Sequence, residues 1–264
     1  MLYSRRRNSY SGRLWIGLFI AFISIVSFLK SKEFNPITGE QQYISLSPQE
    51  EIVLGLQSAP EMVNQFDGLD PDVNAQELVD RVGKRIVQQS KANQTEWEFD
   101  FHLLADEETI NAFALPGGQI FITRALFNEL KTEDLLAGVL AHEIVHVVAR
   151  HSSQQIAKQE LAQGLSGAVV TASGDYDTGR LANFVGQIIN MKYGREDELQ
   201  SDQLGVQFMS QAGYDPNAMI NVMEVLAKAS QGGEQPEFFS THPNPSNRIE
   251  RIKQAIRDLE ISTE

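Results

Sequence analysis

Hydrophobic and polar positions along the 264 residues sort the chain into one long apolar run, several helix-period segments and a few alternating stretches. The apolar run, residues 14–29, carries no charge; Arg5, Arg6, Arg7 and Arg13 precede it and Lys30 and Lys32 follow. As a helix it would span about 24 Å, short for a bilayer core of about 30 Å but workable with flanking residues and local thinning. Residues 75–89 are amphipathic at helical period, Ser47-Pro48 opens a helix that Pro60 is expected to interrupt, and Asp215-Pro216 starts another. A further helix is expected from about residue 246 to 259. Leu135, Leu136, Val139, Leu140, Ile144, Val145, Val147 and Val148 leave hardly a polar side, which predicts a helix buried nearly all round. Thr132 is its N-cap, with Glu133 and Asp134 in the first turn. Strand period runs through Trp97-Glu-Phe-Asp-Phe-His-Leu103, with His102 on the polar side and so not a ligand. Two shorter strands, Asn111 to Ala114 and Ile120 to Thr123, are joined by the turn sequence Leu115-Pro-Gly-Gly118. The sum is a mainly helical α+β protein with a small β-sheet. Residues 164–179, small and apolar ahead of Asp175-Tyr-Asp177, leave open a lid, a membrane-surface contact, a plain loop or a continuation of neighbouring helices.

The N-terminal run bears on compartment. No small-x-small cleavage site follows it and the chain has no Cys for lipid attachment, which favours an uncleaved signal anchor over a cleaved signal peptide. Stronger positive charge ahead of the run keeps the N-terminus cytoplasmic and sends the rest across the membrane. On this reading residues 1–32 are a transmembrane anchor and residues 33–264 one domain, long enough for a sizeable core. An Arg- and Ser-rich, acid-free start also fits a mitochondrial presequence. Beyond the anchor 16 basic residues face 35 acidic ones, a formal charge of −19, which repels nucleic acid and anionic lipid head groups. The lack of cysteine excludes disulfides and thiol catalysis.

Candidate chemistry centres on Ala141-His-Glu-Ile-Val-His-Val147. Residues four apart share a helix face, so His142 and His146 can reach one zinc ion with Glu143 beside them. Burying two imidazoles and a carboxylate without partners costs several kcal/mol, and a metal satisfies them most simply. A catalytic zinc takes three protein ligands and leaves a fourth position to water. His151, nine residues from His142 and about 180° round a continuous helix, cannot share that ion and is expected near Arg150 where the helix reaches the surface. The third ligand is better sought in Tyr193-Gly-Arg-Glu-Asp-Glu-Leu-Gln-Ser-Asp-Gln203. There Glu198 and Asp202 share a face, one able to ligate and the other to accept the outer N–H of a liganding His. Periodicity alone does not choose Glu198 over Glu196.

Four ordered motifs together resemble the gluzincin peptidases of metallopeptidase family forty-eight, which include the HtpX, OMA-type and CAAX prenyl proteases. They are Asn111-Ala-Phe-Ala-Leu-Pro-Gly-Gly-Gln-Ile-Phe-Ile-Thr123, His142-Glu-x-x-His146, Glu198-x-x-x-Asp202 and Thr241-His-Pro-Asn-Pro-Ser-Asn-Arg-Ile249. The likeness spans roughly residues 35–252, and Asn35-Pro-Ile-Thr-Gly39 resembles the opening of the periplasmic, single-anchor bacterial members. It implies a zincin fold behind the anchor and one zinc on His142, His146 and Glu198, with Glu143 as catalytic base and Asp202 behind the ligands. The edge strand Asn111, Ala112, Phe113 and Ala114 would receive substrate as an added strand, which reads backbone and selects extended or unfolded segments. His242, followed by Pro243 and Pro245 in a stiff loop, has three roles open to it: oxyanion donor, fourth zinc ligand that silences the resting enzyme, or structural loop residue. Arg248 could anchor that loop, assist at the oxyanion or be a surface arginine. The sequence departs from the pattern at Ser201, where a small apolar residue is usual. It carries neither a tetratricopeptide-repeat extension nor a multi-span membrane portion, so HtpX and prenyl protease substrates are not transferred.

The expected function is a membrane-anchored zinc endopeptidase acting on misfolded or misassembled envelope proteins, with its catalytic domain in the bacterial periplasm. A non-hydrolytic binding or chaperone-like protein of the same fold and a cytosolic or intramembrane processing enzyme are the alternatives.

Overall fold

The computed structural model describes residues 8–173, 192–229, 236–243 and 247–263. By packing, the chain divides into two compact units, residues 1–47 with 153–189 and residues 48–152 with 190–264.

In the first unit, α1 (Asn8–Lys30) contains the stretch Gly12–Lys30, long and apolar enough to cross a membrane by length and composition, with mean hydropathy 2.0. A hairpin follows, β1 (Lys32–Asn35) and β2 (Glu40–Tyr43), and Phe28 stacks on Tyr43 at 4.5 Å. Most of α6 (His151–Ser173) belongs here, so residues 164–173 continue a helix. The remainder of that stretch, with Asp175-Tyr-Asp177, lies outside the described residues.

The second unit holds a three-stranded sheet of order β3-β5-β4: β3 (Asp100–Leu104) runs parallel and β4 (Ala112–Ala114) antiparallel to the wholly buried β5 (Gln119–Thr123). Strand β4 is therefore an edge. Thr123 N–H donates to the Asn111 carbonyl at 3.0 Å and Leu115 N–H to the Gln119 carbonyl at 2.8 Å. In the antiparallel alternation that follows, Ala112 and Ala114 turn their backbone groups away from β5. The β4–β5 turn needs its glycines: Gly117 has φ 82°, and a Cβ there would lie 2.4 Å from the Ile52 Cα.

Helices enclose this sheet. α2 (Pro48–Gln65) runs straight through Pro60, contrary to the expected interruption. Pro60 removes the donor to the Leu56 carbonyl, but both residues are exposed and water can replace it. α3 (Val73–Gln89), capped by Asp72, buries Val79, Val82 and Ile86, and α4 (Arg124–Glu129) follows β5. α5 (Glu133–Val148) is capped by the Thr132 hydroxyl at 3.3 Å and is buried along nearly its whole length, as the pattern predicts. It packs against α3, α7 (Arg195–Gln211) and α8 (Ala218–Ala229). α8 starts two residues after Pro216 because Asp215 caps the turn first, accepting the Asn217 N–H at 2.9 Å. The short α9 (Glu237–Thr241) and α10 (Arg248–Thr263) complete the unit; the latter begins two residues later than expected.

Gly117→Ala adds both a positive-φ penalty and a backbone clash, and is expected to cost about 2 kcal/mol or more. A thermal unfolding midpoint lowered by about 4 °C or more would bear this out; an unchanged midpoint would refute it.

Candidate metal centre

His142, Glu143 and His146 lie in one turn of α5 and are all buried. α7 packs on α5, with Gly205 facing the backbone of Ala141 and His142. That packing sets Glu198 Oε2 3.4 Å from His142 Nε2 and Glu198 Oε1 3.4 Å from His146 Nε2. His242, capping α9, joins them, its Nδ1 3.0 Å from Glu198 Oε1 and 3.4 Å from His142 Nε2. The two α5 imidazoles are 3.0 Å apart at Nε2. A cation bound at about 2.0–2.1 Å in tetrahedral geometry spaces its ligand atoms by about 3.3 Å, so these buried donors fit a metal site.

Behind the donors, Asp202 Oδ1 accepts the His142 Nδ1–H at 3.0 Å, which leaves Nε2 free to ligate. Arg248, buried rather than on the surface, donates from Nε to Asp202 Oδ2 at 2.6 Å and from Nη2 to Oδ1 at 2.9 Å, with Nη1 3.1 Å from Glu198 Oε2. Glu143 differs from the other acids: both its oxygens are buried without a hydrogen bond among the described residues, and the nearest ionisable neighbour is His242 Nε2 at 3.6 Å.

Electrostatics fit the same picture. Ligation of a cation requires neutral imidazoles, and three buried carboxylates (Glu143, Glu198, Asp202) then face one buried guanidinium among the described residues, an excess of two negative charges that a divalent cation would match. Without a cation, burial pushes His142 down but its bonds to Asp202 and Glu198 prevail and hold its pKa at about 9, so a proton takes the place a cation would fill. Burial drives His146 well below the ordinary imidazole value despite its bond to Glu198. Burial raises the Glu143 pKa, whereas Glu198 is held well below the carboxylate range because the His242 charge and three imidazole bonds outweigh its burial.

His151 is a correction to the sequence reading. It is buried, not at the surface, with Nδ1 3.0 Å from His146 Nδ1 and Nε2 2.9 Å from Gln200 Oε1. The continuous helix assumed in placing it does not exist: Arg150 takes φ 56° and breaks α5 from α6, turning His151 back toward the site. Arg150 is fixed there by Glu51 Oε1, 2.8 Å from Nε, and by the Trp97 ring, 5.4 Å away. Tyr193 also went unnoticed in the sequence. Its ring packs 3.9 Å from that of His146 while its hydroxyl meets Ser152 Oγ at 3.0 Å. No Gly or Pro marks the helix break, and an aromatic five positions before Glu198 carries no signal of its own.

The substrate-strand candidates Asn111, Ala112 and Ala114 are buried and Phe113 is half-buried. His102 bonds Gln119 Oε1 at 2.9 Å, away from the donor set.

The profile of Peptidase family M48 matches residues 74–256, which hold every residue of this centre. The chain belongs to peptidase family M48. The mitochondrial metalloendopeptidase OMA1 of Schizosaccharomyces pombe is 33% identical over 244 residues, covering 90% of this chain and 71% of that protein. The beta-barrel assembly-enhancing protease of Escherichia coli (strain K12) is 30% identical over 237 residues, covering 84% of this chain but 47% of its own length. The M48 chain thus spans about half the length of the latter relative. As an M48 member it is a metallopeptidase, and the four buried donors offer its metal a site.

Arg248→Met should leave Asp202 and Glu198 without their cation and destabilise the metal-free M48 chain by about 3–5 kcal/mol. Denaturant unfolding would measure this; a loss below about 1 kcal/mol would show that the guanidinium does not compensate those acids.

Proposed function

We propose that the protein is a membrane-anchored zinc endopeptidase, with residues 33–264 as its catalytic domain and residues 1–32 as its anchor. Its substrates are misfolded or misassembled envelope proteins and it works on the periplasmic face of a bacterial inner membrane. One observation carries the chemical part: Glu143, a buried carboxylate with no hydrogen bond among the described residues, lies on the same helical turn as two imidazoles that share a donor set with Glu198.

Zinc held by His142, His146 and Glu198 would supply a Lewis acid that activates water and polarises a peptide carbonyl. Glu143 takes the proton of the attacking water and returns it to the departing amine. Its burial raises its proton affinity above that of an ordinary carboxylate, which suits both halves of that transfer. Asp202 and Arg248 orient His142 from behind. His242 stands among the donors through Nδ1, which favours the silencing role over the oxyanion role in the resting enzyme. The α9 segment that carries it donates the Phe238 N–H to the Ile110 carbonyl at 3.2 Å, next to the strand proposed for substrate. Outward-facing backbone groups of Ala112 and Ala114 would pair with an extended peptide once that strand is uncovered. Such pairing ignores side chains and suits unfolded substrates.

The compartment rests on the apolar α1 with its basic flank and on the beta-barrel assembly-enhancing relatives. The likeness to mitochondrial OMA1 supports a mitochondrial inner membrane as the second reading.

Casein cleavage by the full chain should vanish on chelation, return with zinc, and fall by at least about 100-fold in Glu143→Gln with zinc content unchanged. Near-normal cleavage by that variant would remove Glu143 as base and leave the non-hydrolytic reading. In the same assay His242→Ala should raise basal cleavage, whereas a strong loss would return His242 to the oxyanion.

In intact spheroplasts, added protease should digest the C-terminal domain; full protection until lysis would place that domain in the cytosol instead.

A further inference from the structure

The outer nitrogen of His142 is answered by Asp202, but among the described residues no carboxylate plays that part for His146. The atom facing His146 Nδ1, at 3.0 Å, is His151 Nδ1. Two ring nitrogens at that distance share a single proton, so its owner decides which nitrogen of His146 can bind a cation.

Gln200 settles the ownership. Its Oε1 lies 2.9 Å from His151 Nε2 and can only accept, so His151 carries its proton on Nε2 and presents a bare Nδ1. The shared proton then belongs to His146 Nδ1, which leaves the lone pair of His146 Nε2 directed at the donor set with Glu198 and His142. Reversing the Gln200 amide would move the His151 proton to Nδ1, force the His146 proton onto Nε2 and aim an N–H at the metal position. We propose that His151 is a positioning residue of the metal centre: its neutral ring accepts the His146 Nδ1–H, and Gln200 fixes the tautomer that makes this possible.

Geometry around the pair agrees with this role. The two rings meet edge-on, 4.9 Å apart at 75°, while Tyr193 packs over His146 at 3.9 Å and hinders its rotation. Ser201 Oγ lies 3.4 Å from the same His151 nitrogen as a further donor. A neutral acceptor also makes electrostatic sense, because a fourth carboxylate would add to the two negative charges already uncompensated here. The backbone delivers the ring: the left-handed Arg150, at a cost of about 1–2 kcal/mol, turns His151 inward, and its ion pair with Glu51 holds the turn.

This inference rests on the zinc reading above. Zinc affinity of the full chain should be measured by chelator competition in a Glu143→Gln background, which prevents self-cleavage, alongside the unfolding temperature of each metal-free variant. His151→Phe should bind zinc about 10–100-fold more weakly. His151→Asn should recover most of that loss, because its Oδ1 stands where Nδ1 accepted. Affinity in His151→Phe within about twofold of the parent would overturn the proposal, and so would an Asn variant as weak as the Phe variant, which would reduce His151 to packing. Should His151→Phe not fold, Gln200→Leu carries the same test through a several-fold loss of affinity, and an unchanged affinity there overturns it. A parent chain that takes up no zinc sinks the zinc reading and this inference with it. A parent that binds zinc no better than His151→Phe sinks only the role of His151.

Discussion

Uncompensated charge in a dry interior is the constraint on which the site and its surroundings depend. Glu143, Glu198 and Asp202 are sealed from solvent, and among the described residues Arg248 is the one buried guanidinium that faces them. An isolated buried carboxylate costs several kcal/mol even after relaxation, so this arrangement is tenable only if a cation or protons complete it. The imidazoles show which: three of them turn nitrogens inward at 3.0–3.4 Å spacing from one another or from Glu198. Ligand spacing fits a metal ion, and a bound cation answers the same charge that protons on the imidazoles answer in its absence. The scaffold is arranged around that demand, with α5 buried all round, α7 packed against it, and α10 bringing a guanidinium from the far end of the chain.

Much of this was legible because it is local. The spacing of His142 and His146 fixes a shared helix face, the apolar flanks fix its burial, and Thr132 marks its start. The Leu115-Pro-Gly-Gly118 turn gave the β4–β5 pairing, and the alternation before it gave β3. What was not legible depends on partners far away in sequence. Glu198 and Glu196 are equivalent by period, and only the packing of α7 on α5 buries the first and exposes the second. Arg150 has no intrinsic reason to leave the helical region; Glu51, 99 residues earlier, holds it there. Once that break was missed, His151 fell on the wrong side. Pro60 misled in the opposite sense, since a proline whose lost bond faces water can stay within a helix.

The place of His242 in the site follows from equally distant contacts. His242 N–H donates to the Phe238 carbonyl at 2.8 Å, and the Phe238 ring stacks on the His242 ring at 4.4 Å, so α9 and the imidazole move as one piece. Among the described residues, two backbone bonds attach that piece to the approach to β4 and to the start of α7, Phe238 to Ile110 and Tyr193 to Thr241. Each contributes about 1 kcal/mol net, so they are a light fastening by comparison with the charged ligands beneath. A fastening of that size can be released by a peptide that offers replacement bonds along β4. Substrate binding and exposure of the site would then draw on the same interactions, and a folded protein, with its backbone already paired, could not supply them.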